Sequence, residues 1–228
     1  MKKLLIVFLL FSIYSCKTSI KTNNLDQDSE EIYNLSLDYT TGSDTFYRYH
    51  LKIPPLFPQL NADKHDSIER MRFTKWRDST KKILDTAELF VIVKHKIDTL
   101  SKSEIERIQE TITTNRNNLE YKIGGDTSFN EVIIGLCNNK LLFDTLDVSK
   151  LRTNFNYKIY NDRQFSQDKF RQIGTVSFSK VSFSNNKTKA AIYTSFICGN
   201  LCGSGQILFF EKVNGKWRYI KTWDMWVS

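Results

Sequence analysis

Four runs near the carboxyl end, Val176 to Phe183 (VSFSKVSF), Ala190 to Cys198 (AAIYTSFIC), Ile207 to Val213 (ILFFEKV) and Trp217 to Val227 (WRYIKTWDMWV), decide how the rest of the chain is read. Each is short, rich in β-branched and aromatic residues, and bounded by turn formers, which is the pattern of strands. Between them stand Asn185-Asn186, a glycine-bearing stretch from Gly199 to Gly205, and Asn214-Gly215. Asn-Gly is the strongest short hairpin signal, because both central residues of a type I′ turn need positive φ. The glycines at 199, 203 and 205 are expected to supply positive φ in a tight loop. A phosphate cradle is excluded there, since it needs the amino end of a following helix and a strand follows instead. The carboxyl third is therefore read as an antiparallel meander.

Working upstream, Asp63 to Ala87 is predicted helical: Ile68, Arg72, Trp76, Thr80, Ile83 and Ala87 form one stripe, with acids leading and Lys81 and Lys82 trailing. Leu89 to Ile97 reads as a β-branched strand. Ser101-Lys102-Ser103-Glu104 is a capping box opening a second helix, with Ile105, Ile108 and Ile112 on its buried face and Gly124-Gly125 closing the region. Ile32 to Tyr39 fits both periods, and Asp28 with Glu31 tips it toward a helix. Phe46 to Ile53 alternates as a strand that Pro54-Pro55 and Pro58 end. Phe129 to Leu151 is apolar enough to be packed, but around Asn138-Asn139 it reads equally as a hairpin or as a helix followed by a strand. The expected fold class is α+β, with two or three helices packed on an antiparallel sheet that ends in a C-terminal β-meander. No repeat or interdomain linker is visible, so residues 30–228 are read as one domain.

The chain has 228 residues, 40% apolar and 13% aromatic, and a formal charge of +8. That composition supports a sizeable core and excludes a disordered tail, a multi-pass membrane protein and a disulfide-stapled miniprotein. The basic residues are scattered among carboxylates, with no basic block interleaved with aromatics, so nucleic acid is not the expected partner.

At the amino end, Lys2 and Lys3 precede an unbroken apolar run, Leu4 to Ile13, and then comes Ile13-Tyr14-Ser15-Cys16. The run is too short for a hydrocarbon core about 30 Å thick, which takes roughly 20 helical residues. It suits the h-region of a secretory signal peptide. The tetrapeptide resembles the bacterial lipoprotein box: Ile13 and Ser15 occupy its aliphatic and small positions, and Cys16 falls on the invariant cysteine. The resemblance implies that residues 1–15 are a cleaved signal, that Cys16 is the lipid-attachment residue carrying diacylglycerol as a thioether, and that palmitate or a similar chain acylates the new amino terminus. Several acyl chains make such anchoring effectively permanent, at about 0.8 kcal/mol per buried methylene. The remaining chain, with a charge of about +6 once Lys2 and Lys3 depart, would lie near anionic headgroups. Residues 16–29 are polar and read as a tether.

The segment from Phe178 to Ser228 resembles the C-terminal signature of a group of uncharacterised bacterial secreted proteins and lipoproteins. The residues that carry it are Val181-Ser182-Phe183-Ser184, Lys189-Ala190-Ala191-Ile192-Tyr193, Cys198-Gly199-Asn200-Leu201-Cys202-Gly203-Ser204-Gly205, Phe210-Glu211-Lys212, Asn214-Gly215-Lys216-Trp217 and Trp226-Val227-Ser228. The likeness covers less than a quarter of the chain and supports the meander, and the group brings no activity with it.

Cys198 and Cys202 flank a hairpin connection in a chain expected outside the cytoplasm, where three intervening residues bring Cα atoms within disulfide range. A structural disulfide is expected, with reduced thiols or redox and metal chemistry as alternatives. A thioredoxin-like pair wants two intervening residues and a following helix, and neither is present. Cys137 is left as a buried free thiol. His50, His65 and His95 lie on different elements without a ligand partner at i+2 to i+4, so no metal site is expected. No nucleophile elbow or singled-out carboxylate pair appears, so no catalytic residue or cofactor is named and nothing argues positively for an enzyme. Strict alternation places Trp217, Tyr219 and Trp223 on one strand face, which would stack on sugars or peptides if exposed or pack against the helices if covered. The expectation is a lipid-anchored protein of the bacterial cell envelope, facing periplasm or exterior. It serves as a non-catalytic binding or interaction module for a protein or glycan partner; the alternatives are a carbohydrate or peptide binder using those aromatics, and a thiol-redox enzyme.

Overall fold

The computed structural model of the chain describes residues 26–42, 64–114, 127–138, 144–164, 171–199 and 202–228. Cys16, His50, the strand expected at Phe46 to Ile53 and Gly124-Gly125 lie outside them. Among the described residues the fold is α+β, with four helices and a mostly antiparallel seven-stranded sheet. The helices are α1 (Gln27–Thr41), α2 (Lys64–Thr86), α3 (Lys102–Thr114) and α4 (Asn130–Asn138); the strands are β1 (Leu89–Val93), β2 (Tyr157–Asn161), β3 (Gln172–Phe178), β4 (Ser182–Phe183), β5 (Lys189–Gly199), β6 (Cys202–Val213) and β7 (Lys216–Val227).

Strand order is β2-β1-β3-β5-β6-β7, with β4 pairing β5 beyond the end of β3. One part departs from the expected antiparallel sheet: β1 is parallel to both β2 and β3. From β3 onward the pairing is antiparallel. Asn214 and Gly215, with φ of 52° and 79°, make the β6–β7 turn as their types require. The expected single strand from Val176 to Phe183 is two strands. It breaks at Ser179, whose hydroxyl accepts the Tyr193 N–H at 2.9 Å in place of a backbone carbonyl.

Both sheet faces are covered. Helix α1 starts at Gln27, ahead of the expected boundary at Glu30, because Asp26 is its N-cap and accepts the Ser29 N–H at 2.8 Å. Its Ile32, Tyr33 and Leu37 are buried against Val176, Phe178, Ile192 and Phe210. Burying each such side chain is worth about 1.5–3 kcal/mol, far above the few tenths by which propensity separates helix from strand there. On the other face, Ile108 of α3 and Val132, Ile133 and Leu136 of α4 pack with Phe129, Ile207, Phe209 and Trp223. Because successive residues of β6 enter opposite cores, Ile207 to Phe210 is continuously apolar.

The capping box forms as read: the Ser101 N–H donates to Glu104 at 2.7 Å and the Glu104 N–H to Ser101 Oγ at 3.3 Å. Phe129 to Leu151 resolves as helix first, α4, followed by a bridge from Thr145 to Lys96. Helix α2 has the expected extent, but its stripe is not uniformly buried. Thr80 is buried, while Arg72 is exposed and Trp76 is 44% exposed.

Candidate functional site

The C-terminal aromatics were expected on one face, and the register of β7 divides them. Phe210 pairs with Tyr219 and Phe209 with Lys221, so Ile220 is an inserted residue. A second insertion at Met225 separates the pairs Gln206–Asp224 and Gly205–Trp226. Each β-bulge shifts the alternation by one residue. Trp217 therefore faces α1 and Trp223 faces α4, and each is 3% exposed. The Trp217 indole N–H donates to Asp28 at 2.9 Å, its backbone N–H donates to Glu31 at 3.0 Å, and Lys212 sits over its ring at 5.3 Å. Tyr219 stacks on Tyr39 with ring centroids 4.1 Å apart. The single face expected for Trp217, Tyr219 and Trp223 is overturned, and of the two alternatives for it the covered one holds for the indoles, which are core residues on opposite faces of the sheet. The hint in the sequence is Ile220, an apolar residue on what strict alternation makes the polar side.

Cys198 and Cys202 stand at disulfide distance, with Cα atoms 5.1 Å apart. The glycines around them do not serve the role first assigned. Among the described glycines only Gly42 and Gly215 have positive φ, and Gly203 and Gly205 lie inside the β6 ladder. Their smallness serves Trp226. A Cβ on Gly205 would lie 2.0 Å from the indole Nε1, and one on Gly203 would lie 3.2 Å from the ring. The indole N–H donates to Tyr193 Oη at 2.9 Å, and the Tyr193 hydroxyl donates to Glu104 at 2.5 Å. Ser228 closes the strand by donating its N–H to the Gly203 carbonyl at 2.9 Å. The signature residues Tyr193, Gly203, Gly205, Trp226 and Ser228 are thus one packing unit, joined through Glu104 to the cap of α3.

Burial pushes the Glu104 carboxyl up, but hydrogen bonds from Tyr193, Ser101 and Trp226 outweigh it and leave the group below its ordinary value. Lys212 and the Trp217 indole hold Asp28 low as well. A lowered carboxylate contributes stability above its unfolded pKa and loses it as pH falls through the folded value. The urea midpoint is accordingly expected to be level from about pH 8 to pH 5 and to fall below about pH 4, with a smaller fall in Glu104→Gln. A midpoint that stays level down to about pH 3 would contradict this linkage.

The concave surface on α1 is a groove of about 540 Å³, walled by Glu30, Glu31 and Asp38 on one side and by Arg152, Thr153 and Asn154 on the other. Asp38 accepts from the Thr153 hydroxyl at 2.7 Å and from Asn154 Nδ2 at 2.6 Å, and Asn34 accepts the Arg152 N–H at 2.8 Å. These bonds fix the far wall to the helix. The lining residues offer hydrogen bonding and charge.

A second cluster, which spacing along the chain does not reveal, sits at the carboxyl ends of the parallel strands β1 and β2. His95 Nδ1 is 2.6 Å from Asp162, and Arg163 donates to His95 Nε2 at 2.8 Å. A guanidinium only donates, so Nε2 accepts and the Nδ1 proton points at Asp162. The carboxyl of Asp162 is pushed up by burial, but the His95 ring and backbone N–H outweigh that and hold it low. With both ring nitrogens engaged, the imidazole ties two strand ends together and offers no lone pair to a substrate. Cys137 is a free thiol, half-buried on α4, and burial pushes its pKa up. Among the described residues no group of three or more His, Cys, Asp or Glu side chains is arranged to hold a metal ion. No helix among them is long and apolar enough to cross a membrane. No family model matches the chain, and neither a curated protein nor a solved structure is similar to it.

Proposed function

We propose that the protein is a lipid-anchored component of the bacterial cell envelope whose α+β domain serves as a non-catalytic binding or interaction module. One conjunction carries the reading: a chain that opens on Lys2-Lys3, an apolar run and Ile13-Tyr14-Ser15-Cys16 also holds Cys198 and Cys202 at disulfide distance. The first feature is an export and acylation signal, and the second suits the oxidising compartment to which export leads. A disulfide there closes so short a loop that its role is to hold the β5–β6 turn in shape. Nine residues lie between Cys16 and Asp26, and the ten Cα-to-Cα steps span at most roughly 36 Å, so the tether keeps the start of α1 close to the bilayer. The groove on α1 is the surface we assign to the partner, because it is concave, polar and braced by hydrogen bonds from both walls.

The test is growth of cells in a clickable palmitate analogue. Wild-type protein is expected to carry the label and sediment with membranes, while Cys16→Ser carries none. A wild-type protein without label, or a Cys16→Ser variant labelled as strongly as wild type, would overturn the reading.

A further inference from the structure

Helix α2 combines exposure and charge in a way that no folding role accounts for. Phe73 and Trp76 are three residues apart and therefore neighbours on the helix surface, with ring centroids 5.5 Å apart. Phe73 is half-buried and Trp76 is 44% exposed. Trp217 and Trp223 are buried and Trp226 is half-buried, so Trp76 is the most exposed of the four tryptophans. The stripe is bordered by Arg72, one turn before Trp76, and by Arg77, one turn after Phe73. Two turns on from Phe73, Thr80 continues the stripe and is buried, so cover increases along the helix from Trp76 toward that residue. Over its length α2 has seven basic residues against four acidic ones, a net charge of +3. Met71 is 55% exposed but lies on the opposite side of the helix and is not part of the patch.

An aromatic pair flanked by arginines on a cationic helix is the arrangement of a helix that lies in a membrane interface, rings among the headgroups and basic side chains against lipid phosphate. We propose that α2 docks the domain on an anionic lipid surface through Phe73 and Trp76, with the bordering Arg72 and Arg77, the latter paired with Asp78 at 3.2 Å, engaging the headgroup phosphates. The proposal builds on the lipid-anchor reading: a domain tethered within a few tens of ångströms meets the surface at high effective concentration, and a weak interfacial helix is enough to orient it. Its chemistry nevertheless stands apart from the anchor, since it depends on anionic lipid and salt whereas acyl chains do not.

The test uses the full-length protein purified from its membrane, scored for palmitate-analogue label and reconstituted in vesicles with brominated acyl chains. One set is phosphatidylcholine alone and the other contains roughly one quarter phosphatidylglycerol. Bromine quenches a tryptophan that enters the acyl boundary. Quenching is expected in the anionic vesicles only, is lost at about 0.5 M salt, and vanishes in Trp76→Phe, which keeps an apolar ring at that site. Arg72→Gln combined with Arg77→Gln, the two charges that border the pair, is expected to weaken the docked population by roughly fivefold per charge removed. Labelled protein without salt-sensitive quenching overturns the docking helix and leaves the anchor standing. Unlabelled protein that is still quenched in anionic vesicles overturns the anchor and supports the helix. Equal quenching in both lipid sets, or quenching unchanged in Trp76→Phe, overturns the role of α2.

Discussion

Replacing Trp217 by alanine should destabilise the protein by about 3–5 kcal/mol, the range for emptying a large aromatic site in a packed core. The ring is 3% exposed and fills the space between Phe183 and α1. Its indole N–H is also one of two groups that hold the Asp28 carboxylate, the other being the Lys212 ammonium. Trp217→Phe keeps most of the ring and gives up that hydrogen bond, so its cost should be smaller, about 1.5–3 kcal/mol for a bond to a charged acceptor. Urea unfolding of the two variants separates packing from the bond. A Trp217→Ala protein within about 0.5 kcal/mol of wild type would be the behaviour of a surface residue and would restore the sugar-stacking idea.

The second large effect is expected from the smallest change, Gly205→Ala. Its methyl group would sit 2.0 Å from Trp226 Nε1 and 2.5 Å from Cε2, inside contact distance of a rigid ring. The indole must leave its place, which gives up the bond to Tyr193 and adds to an overpacking cost of typically 1–3 kcal/mol, so a loss of roughly 2–4 kcal/mol is expected. In a Trp226→Ala background the same methyl meets no ring, so Gly205→Ala should cost under about 1 kcal/mol there and the double-mutant cycle should show strong coupling. Additive effects would mean that the glycine serves some other purpose than making room for Trp226. Gly203→Ala should be milder, since its nearest contacts are 3.1 Å and 3.2 Å.

What could be read in advance follows the range of the interaction involved. Asn214-Gly215 and the box from Ser101 to Glu104 act within four residues, and both form as their chemistry requires. The extents of α2, β5 and β7 follow from local periodicity and composition, whereas β6 begins at Cys202, ahead of the expected Ile207, because the glycines read as a loop lie in its ladder. The parallel placement of β1 between β2 and β3, and β2 itself, depend on partners more than sixty residues away. The pairing of His95 with Asp162 is of the same kind, 67 residues apart. Glycine is ambiguous in another way, because the missing Cβ permits either a positive φ or the close approach of a neighbour. At Gly215 the first applies and at Gly205 the second, and only the position of Trp226 tells them apart. The aromatics failed for a third reason. A single inserted residue at Ile220 reverses the side chains that follow it up to the second insertion at Met225, so counting by twos carried Trp223 to the wrong face. The groove on α1 was not legible either, since residues 152–154 meet the helix only through the tertiary fold.

The proposed placement of this domain at a membrane surface rests on the sulfur of Cys16, and the intact mass of the native protein under non-reducing conditions addresses it directly. The account predicts a chain that starts at Cys16, carries the added mass of a diacylglyceryl group and a third acyl chain, and lacks two hydrogens for a bridge between Cys198 and Cys202. A chain that still starts at Met1, with an unmodified Cys16 and both thiols reduced, would contradict it.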